Sequence, residues 1–147
     1  LAESLQPLLE GSACRLENTV EDLEVSGDRD AIERILRNLL ENAIKYGPRG
    51  QTIRLTVKSG PRDTARITVD DEGPGIPPAD RTRVWEPYHR LDRDRNASIV
   101  GSGLGLAVVA QLVAAQGGRA WVEDAPGGGA RFGVELGAAR RSEEVRP

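Results

Sequence analysis

Three short segments hold the residues able to do chemistry: residues 38–47 (NLLENAIKYG), 71–77 (DEGPGIP) and 101–106 (GSGLGL). On a helix turning about 100° per residue, Asn38, Asn42 and Lys45 fall within about 60° of one another, opposite Ile32, Ile35, Leu36, Leu39 and Ala43. Amide oxygens are hard donors suited to Mg²⁺, which keeps several waters and takes few protein ligands besides substrate phosphates, while a lysine ammonium neutralises phosphate charge. In the second segment Asp71 is followed by Gly73 and Gly75. A carboxylate there accepts a hydrogen bond from an exocyclic amine such as adenine N6, worth about 1.5–3 kcal/mol for a charged acceptor, and the glycines let a flat ring approach the backbone. In the third, Gly101, Ser102, Gly103, Leu104, Gly105 and Leu106 run into a helix whose free N–H groups and dipole suit a phosphate. Taken singly, the segments also fit a solvated helix face, a turn at a strand end and an ordinary glycine-rich turn. Together they describe a nucleotide pocket.

The glycine segment lacks the Lys-Ser/Thr ending of a P-loop and the preceding strand of a Rossmann fingerprint, which excludes both folds. Its neighbours must position it. Leu5, Leu8 and Leu9 share one side of a helix expected over residues 1–9, and TVEDLEV (19–25) reads as one strand. Asp28 is placed to cap a long helix that runs to about Tyr46, where Gly47, Pro48 and Gly50 stop it. A hairpin is expected from residues 52–58 and 65–70 around Gly60-Pro61, then a proline-broken loop with one helical turn near 79–84. An irregular charged stretch (86–100) precedes an apolar helix over 104–115, closed by Gly117-Gly118, and residues 119–124 and 130–136 form a second hairpin across PGGG. The domain is expected to end at Gly137, with residues 138–147 a flexible charged tail.

At 147 residues the chain fits one domain, which at this length buries about 68–70% of its unfolded surface. Aromatics are only 3% of residues, so the core must be built from Leu, Val, Ile and Ala. The net charge is −3, with both signs interspersed; no basic stripe is available for a nucleic-acid backbone. Cys14, the one cysteine, cannot form an internal disulfide and reads as a small apolar filler. No window approaches the roughly 18 apolar residues of a membrane span, so no direct membrane contact is expected. The chain starts at Leu1 and contains no Met, so it is expected to be a piece of a longer protein.

In order and spacing, the three segments resemble the N box and the two glycine boxes of the ATP-binding catalytic domain of bacterial sensor histidine kinases, within the GHKL (Bergerat-fold) superfamily. Between them, residues 85–91 (WEPYHRL) resemble that family's F box, with Tyr88 in place of the usual Phe. The resemblance covers residues 25–136. It implies an α+β fold: a two-layer α/β sandwich with a mixed, mostly antiparallel sheet of about five strands under three helices.

Carried over by position, Asn42 resembles the magnesium-binding asparagine and Asn38 a polar contact one turn earlier. Lys45 and Tyr46 would lie on the phosphate and ribose side, Asp71 would accept from adenine, and Gly73, Gly75 and Ile76 would shape the adenine loop. Residues 101–106 would cradle phosphates under a lid to which Arg90 contributes. Asn38, Lys45 and Arg90 are the expected catalytic contacts. Gyrase and MutL relatives carry a water-activating glutamate at the place of Asn38, so slow intrinsic ATP hydrolysis is expected here; Glu41 points about 60° further round the helix. The lone histidine, His89, reads as a lid residue, so the phosphoacceptor histidine is expected on a separate dimerisation domain, with a response regulator receiving the phosphate afterwards. The implied setting is the cytoplasmic portion of a membrane-anchored sensor. Alternatives are an anti-sigma-factor serine kinase of the same fold and a nucleotide-binding module that switches without transferring phosphate. Trp85 and Trp121 are expected to serve packing. Ala130 and Gly137 stand where relatives often place threonine and proline.

Overall fold

The computed structural model describes residues 7, 9–88 and 104–140. Strand β1 (Arg15–Val20) and strand β2 (Leu23–Val25) precede helix α1 (Arg29–Tyr46). Strands β3 (Thr52–Gly60) and β4 (Thr64–Asp70) form a hairpin, followed by single 3₁₀ turns at Pro78–Asp80 and Arg83–Trp85. Helix α2 (Gly105–Ala115) leads into a second hairpin of β5 (Arg119–Asp124) and β6 (Ala130–Arg140). No helix among the described residues is long and apolar enough to cross a membrane.

Local chemistry sets the helix ends. The Asp28 carboxylate accepts the Asp30 N–H at 3.0 Å, satisfying one of the orphan donors at the start of α1, and Gly47 donates back to the Ala43 carbonyl at its end. Helix α2 closes as a Schellman motif: Gly117, at φ 74°, donates to Ala114 and Gly118 to Val113.

The sheet runs β1-β3-β4-β6-β2, with β5 also paired to β6; β1 lies parallel to β3 and every other pairing is antiparallel. Alternation along the strands sends Ile53, Leu55, Ile67, Val69, Val122, Phe132, Val134 and Leu136 into one core. Ile35, Leu36, Leu39, Leu40 and Ala43 of α1 and Val109 and Val113 of α2 complete it. Each fully buried Leu, Ile or Val contributes about 1.5–3 kcal/mol, so this stripe fixes which side of α1 is left for the polar residues. The opposite sheet face is laced with ion pairs, among them Asp70 with Arg131 at 2.7 and 2.8 Å and Glu135 with Arg66 and Arg119. The Arg66 and Arg119 guanidinium groups approach the Trp121 ring at 5.6 and 4.6 Å from its centroid and the ring covers Gly133, while Trp85 meets Phe132 edge-on at 5.9 Å, so both tryptophans serve packing.

The two-layer α/β arrangement agrees with expectation, and three details differ. The segment expected as one strand splits at Glu21 and Asp22, giving six strands instead of about five. Its halves have different neighbours: β1 pairs with β3, Glu21 N–H bonds to Val57, and β2 pairs with the end of β6. The single helical turn near 79–84 is two 3₁₀ turns. Strand β6 continues past Gly137 to Arg140, because β2 and the Asp63 carbonyl supply partners there. Of the helix expected over residues 1–9, only Pro7 and Leu9 are described; both are helical, and Leu9 packs into the core.

Candidate functional site

Burying the apolar stripe of α1 turns Asn38, Asn42, Lys45 and Tyr46 toward a cleft of about 70 Å³, lined also by Glu41, Val84, Gly105 and Leu106. Asn38 Oδ1 stands 4.0 Å from where a β-carbon on Gly105 would sit, so the glycine lets the start of α2 approach the α1 polar face. Glu41, about 60° further round α1, also lines this cleft. Val84 and the first turn of α2 wall the cleft from two directions, so its lining takes in a wider sector of α1 than one stripe.

The end of β4 is held more tightly. Asp71 is 5% exposed; its Oδ1 accepts from Gly73 N–H at 2.9 Å and Ala130 N–H at 3.0 Å, and its own N–H donates to the Ala130 carbonyl. A side chain at Gly129, where φ is 89°, would run into the Asp71 carbonyl. At Gly73 a β-carbon would stand 2.9 Å from the Tyr46 carbonyl and 3.3 Å from Gly47 Cα, so the loop presses on the last turn of α1. Gly75 adopts φ 80°. The Ile76 carbonyl accepts from Arg81, whose guanidinium also pairs with Asp124 at 2.8 Å. Behind the loop, buried Gln51 donates to the Ala43 carbonyl and accepts from Glu72 N–H, while Glu72 Oε1 accepts from Thr52 N–H.

Leu104 stands at the N-cap of α2 without a side-chain cap, and its carbonyl accepts the Val108 N–H. Gly105 and Leu106 open the helix. Gly101, Ser102, Gly103, Arg90 and His89 lie outside the described residues. Asn38, Asn42, Lys45, Tyr46, Gly105 and Leu106 therefore share a cleft, while from the second segment Gly73 reaches the end of α1 at Tyr46 and Gly47, with Asp71 tied to it through the Gly73 N–H and Gly75 standing beside Gly129. A larger, shallower groove of about 590 Å³ along β1, lined by Leu9, Cys14, Arg15, Leu16, Glu17, Asn18 and Thr52, contains none of the expected nucleotide-site residues.

Among the described residues no three His, Cys, Asp or Glu cluster as a metal cage. Two amide side chains beside a lysine form a different donor set, one that suits an ion held largely by water and phosphate oxygens. Gln51 and Arg81 were not identified from sequence. A polar residue between a turn and a strand gives no signal of its own, since Gln51 acquires its role from Glu72, 21 residues on.

Residues 27–140 match the family described as histidine kinase-, DNA gyrase B- and HSP90-like ATPase. The chain belongs to that family. Within it, the mycobacterial sensor histidine kinase MprB superposes with a TM-score of 0.83 at 32% identity, covering 95% of this chain and 93% of that one. The adaptive-response sensory kinase SasA of Synechococcus sp. (strain JA-2-3B'a(2-13)) is 39% identical over 136 residues, 91% of this chain. Full-length ShkA, solved in complex with AMPPNP, superposes with a TM-score of 0.79 at 29% identity over 98% of this chain. This is the ATP-binding catalytic domain of a bacterial sensor histidine kinase. It spans 36% of SasA and 30% of ShkA, so the kinase domain corresponds to about a third of such relatives. Domains of this family generally bind ATP with Mg²⁺.

Proposed function

We propose that this domain binds Mg·ATP along the polar face of α1 and transfers its γ-phosphoryl group to a histidine on a separate dimerisation domain, from which it passes to an aspartate of a response regulator. The observation that carries the reading is the convergence on one helix face: Asn42 and Lys45 meet the start of α2 in the cleft, and the Asp71 loop abuts the same helix at Tyr46. ShkA, similar over 98% of this chain, was solved with AMPPNP, which supports a triphosphate ligand here.

In this reading Asp71, fixed through Oδ1 by two backbone amides, accepts from adenine N6, while Gly73, Gly75 and Ile76 form the surface over which the ring lies. Asn42, with Asn38 one turn earlier, would hold the metal complex, and Mg²⁺ would supply neutralisation of the phosphate charge there. Lys45, Arg90 and the backbone N–H groups of residues 101–106 draw off the remaining phosphate charge, and Tyr46 lies against the ribose. Phosphoryl transfer needs alignment and electrostatic stabilisation more than covalent help, so the nucleophile comes from the dimerisation domain. Asn38, an amide, takes no proton from water, and hydrolysis without an acceptor is slow.

The test is to mix this domain with the dimerisation fragment of its parent kinase and γ-labelled ATP. An acid-labile, base-stable phosphohistidine is the expected product. An acid-stable phosphoserine would favour the serine-kinase alternative, and nucleotide binding without transfer would favour the regulatory module.

A further inference from the structure

We infer that Gln51 is a positioning residue for nucleotide recognition: its buried amide ties the Asp71 loop to the last turns of α1 and so sets the separation between the adenine acceptor and the phosphate-side residues Asn42 and Lys45. The inference rests on the nucleotide reading above. Gln51 is 2% exposed, and its side chain spans two elements. Nε2 donates to the carbonyl of Ala43, the residue after Asn42, at 2.8 Å; Oε1 accepts at 2.9 Å from the N–H of Glu72, the residue after Asp71.

Its own backbone is anchored, since Gln51 N–H donates to Pro48 and its carbonyl accepts from Arg15. A β-carbon on Gly47 would collide with the Gln51 amide, so the glycine after α1 keeps the space that this side chain fills. The two hydrogen bonds are not equivalent. The Ala43 carbonyl also accepts from Gly47 N–H at 3.0 Å, so losing Gln51 leaves that acceptor with a partner. Glu72 N–H would lose its buried acceptor, although the Glu72 carboxylate stays tethered to Thr52 N–H at 3.1 Å. Removing the amide therefore loosens the register of the loop against α1 while both elements stay attached to the fold. Asp71 is adjacent, so base recognition should suffer first and phosphate contacts least.

Gln51→Met keeps the side-chain length and removes both hydrogen bonds. ATP and GTP are titrated with Mg²⁺ into wild type, Gln51→Met and Asp71→Asn, each checked for folding by thermal melting. The expected result for Gln51→Met is an ATP dissociation constant raised about ten-fold with GTP affinity unchanged to within about two-fold. A wild-type ATP/GTP ratio in folded Gln51→Met, or an equal loss for both nucleotides, overturns the inference. If wild type shows no preference for ATP, or Asp71→Asn leaves that preference intact, the nucleotide reading itself fails whatever Gln51→Met does. Should Gln51→Met not fold, hydrogen exchange at the Glu72 amide of wild type decides. Protection that rises about ten-fold on saturation with ATP but not GTP supports the positioning role, and protection indifferent to the nucleotide overturns it.

Discussion

Replacing Asp71 by asparagine changes one oxygen to an NH₂ at a site where the geometry dictates the orientation of the new amide. Oδ1 of Asp71 accepts two backbone N–H groups, from Gly73 at 2.9 Å and Ala130 at 3.0 Å. An NH₂ group cannot accept either, so in Asp71→Asn the amide oxygen must stay on those two donors, and the NH₂ takes the place of the second carboxylate oxygen. Both backbone bonds survive, so the fold should too. Adenine N6 then faces a donor instead of an acceptor and loses a charge-assisted hydrogen bond of about 1.5–3 kcal/mol, a factor of about 10–150 in affinity. Guanine carries an acceptor, O6, at the same ring position, so GTP should bind the variant no worse than wild type. Calorimetric titration of each nucleotide with Mg²⁺ measures both. If Asp71→Asn bound ATP as tightly as wild type, the assignment of this carboxylate to adenine would be wrong.

Three further outcomes follow from the geometry. Asn42→Ala should weaken ATP binding in Mg²⁺ by about ten-fold or more and leave metal-free binding nearly unchanged, as read by titration with and without a chelator. Glu135 titrates below its ordinary 4.5, chiefly because Arg66 donates a hydrogen bond to its carboxylate, with Arg119 adding to the effect. A carboxyl lowered in the folded state adds stability that is present above its ordinary value and lost as pH falls through the lowered one. Glu135→Gln should therefore melt earlier than wild type near neutral pH, with the difference vanishing in acid. Leu39→Ala, at a position with 0% exposure, should cost about 2–5 kcal/mol by urea denaturation without altering ATP affinity per folded molecule.

What could be read from sequence depended on how local the determining contacts were. Helix α1 was legible because its Asp28 cap, its apolar stripe and its Gly47 stop all lie within some twenty residues of one another, and the same stripe fixed which side Asn38, Asn42 and Lys45 occupy. The two hairpins were legible for the same reason. The division between β1 and β2 was not, because it arises from pairing with β3 in one case and the end of β6 in the other, partners remote in sequence. Ala138 reads as tail until β2 and Asp63 are seen to bond to it. Asp71 was identified by its glycine context, but the backbone amide of Ala130, 59 residues on, that helps fix it was not. The helix wheel gave the 60° offset of Glu41, but that this residue also lines the cleft depends on where Val84 and α2 stand.

The central claim is that a Mg·ATP complex lies along α1 between the Asp71 loop and the start of α2. Backbone amide shifts recorded while Mg·ATP is titrated into the isotope-labelled chain test it most directly. Saturable shifts at Asn42, Gly73 and Gly105 together, with the ion-paired sheet face around Trp121 unmoved, are the predicted result. Shifts confined to the β1 groove, or none at saturating nucleotide, would contradict it.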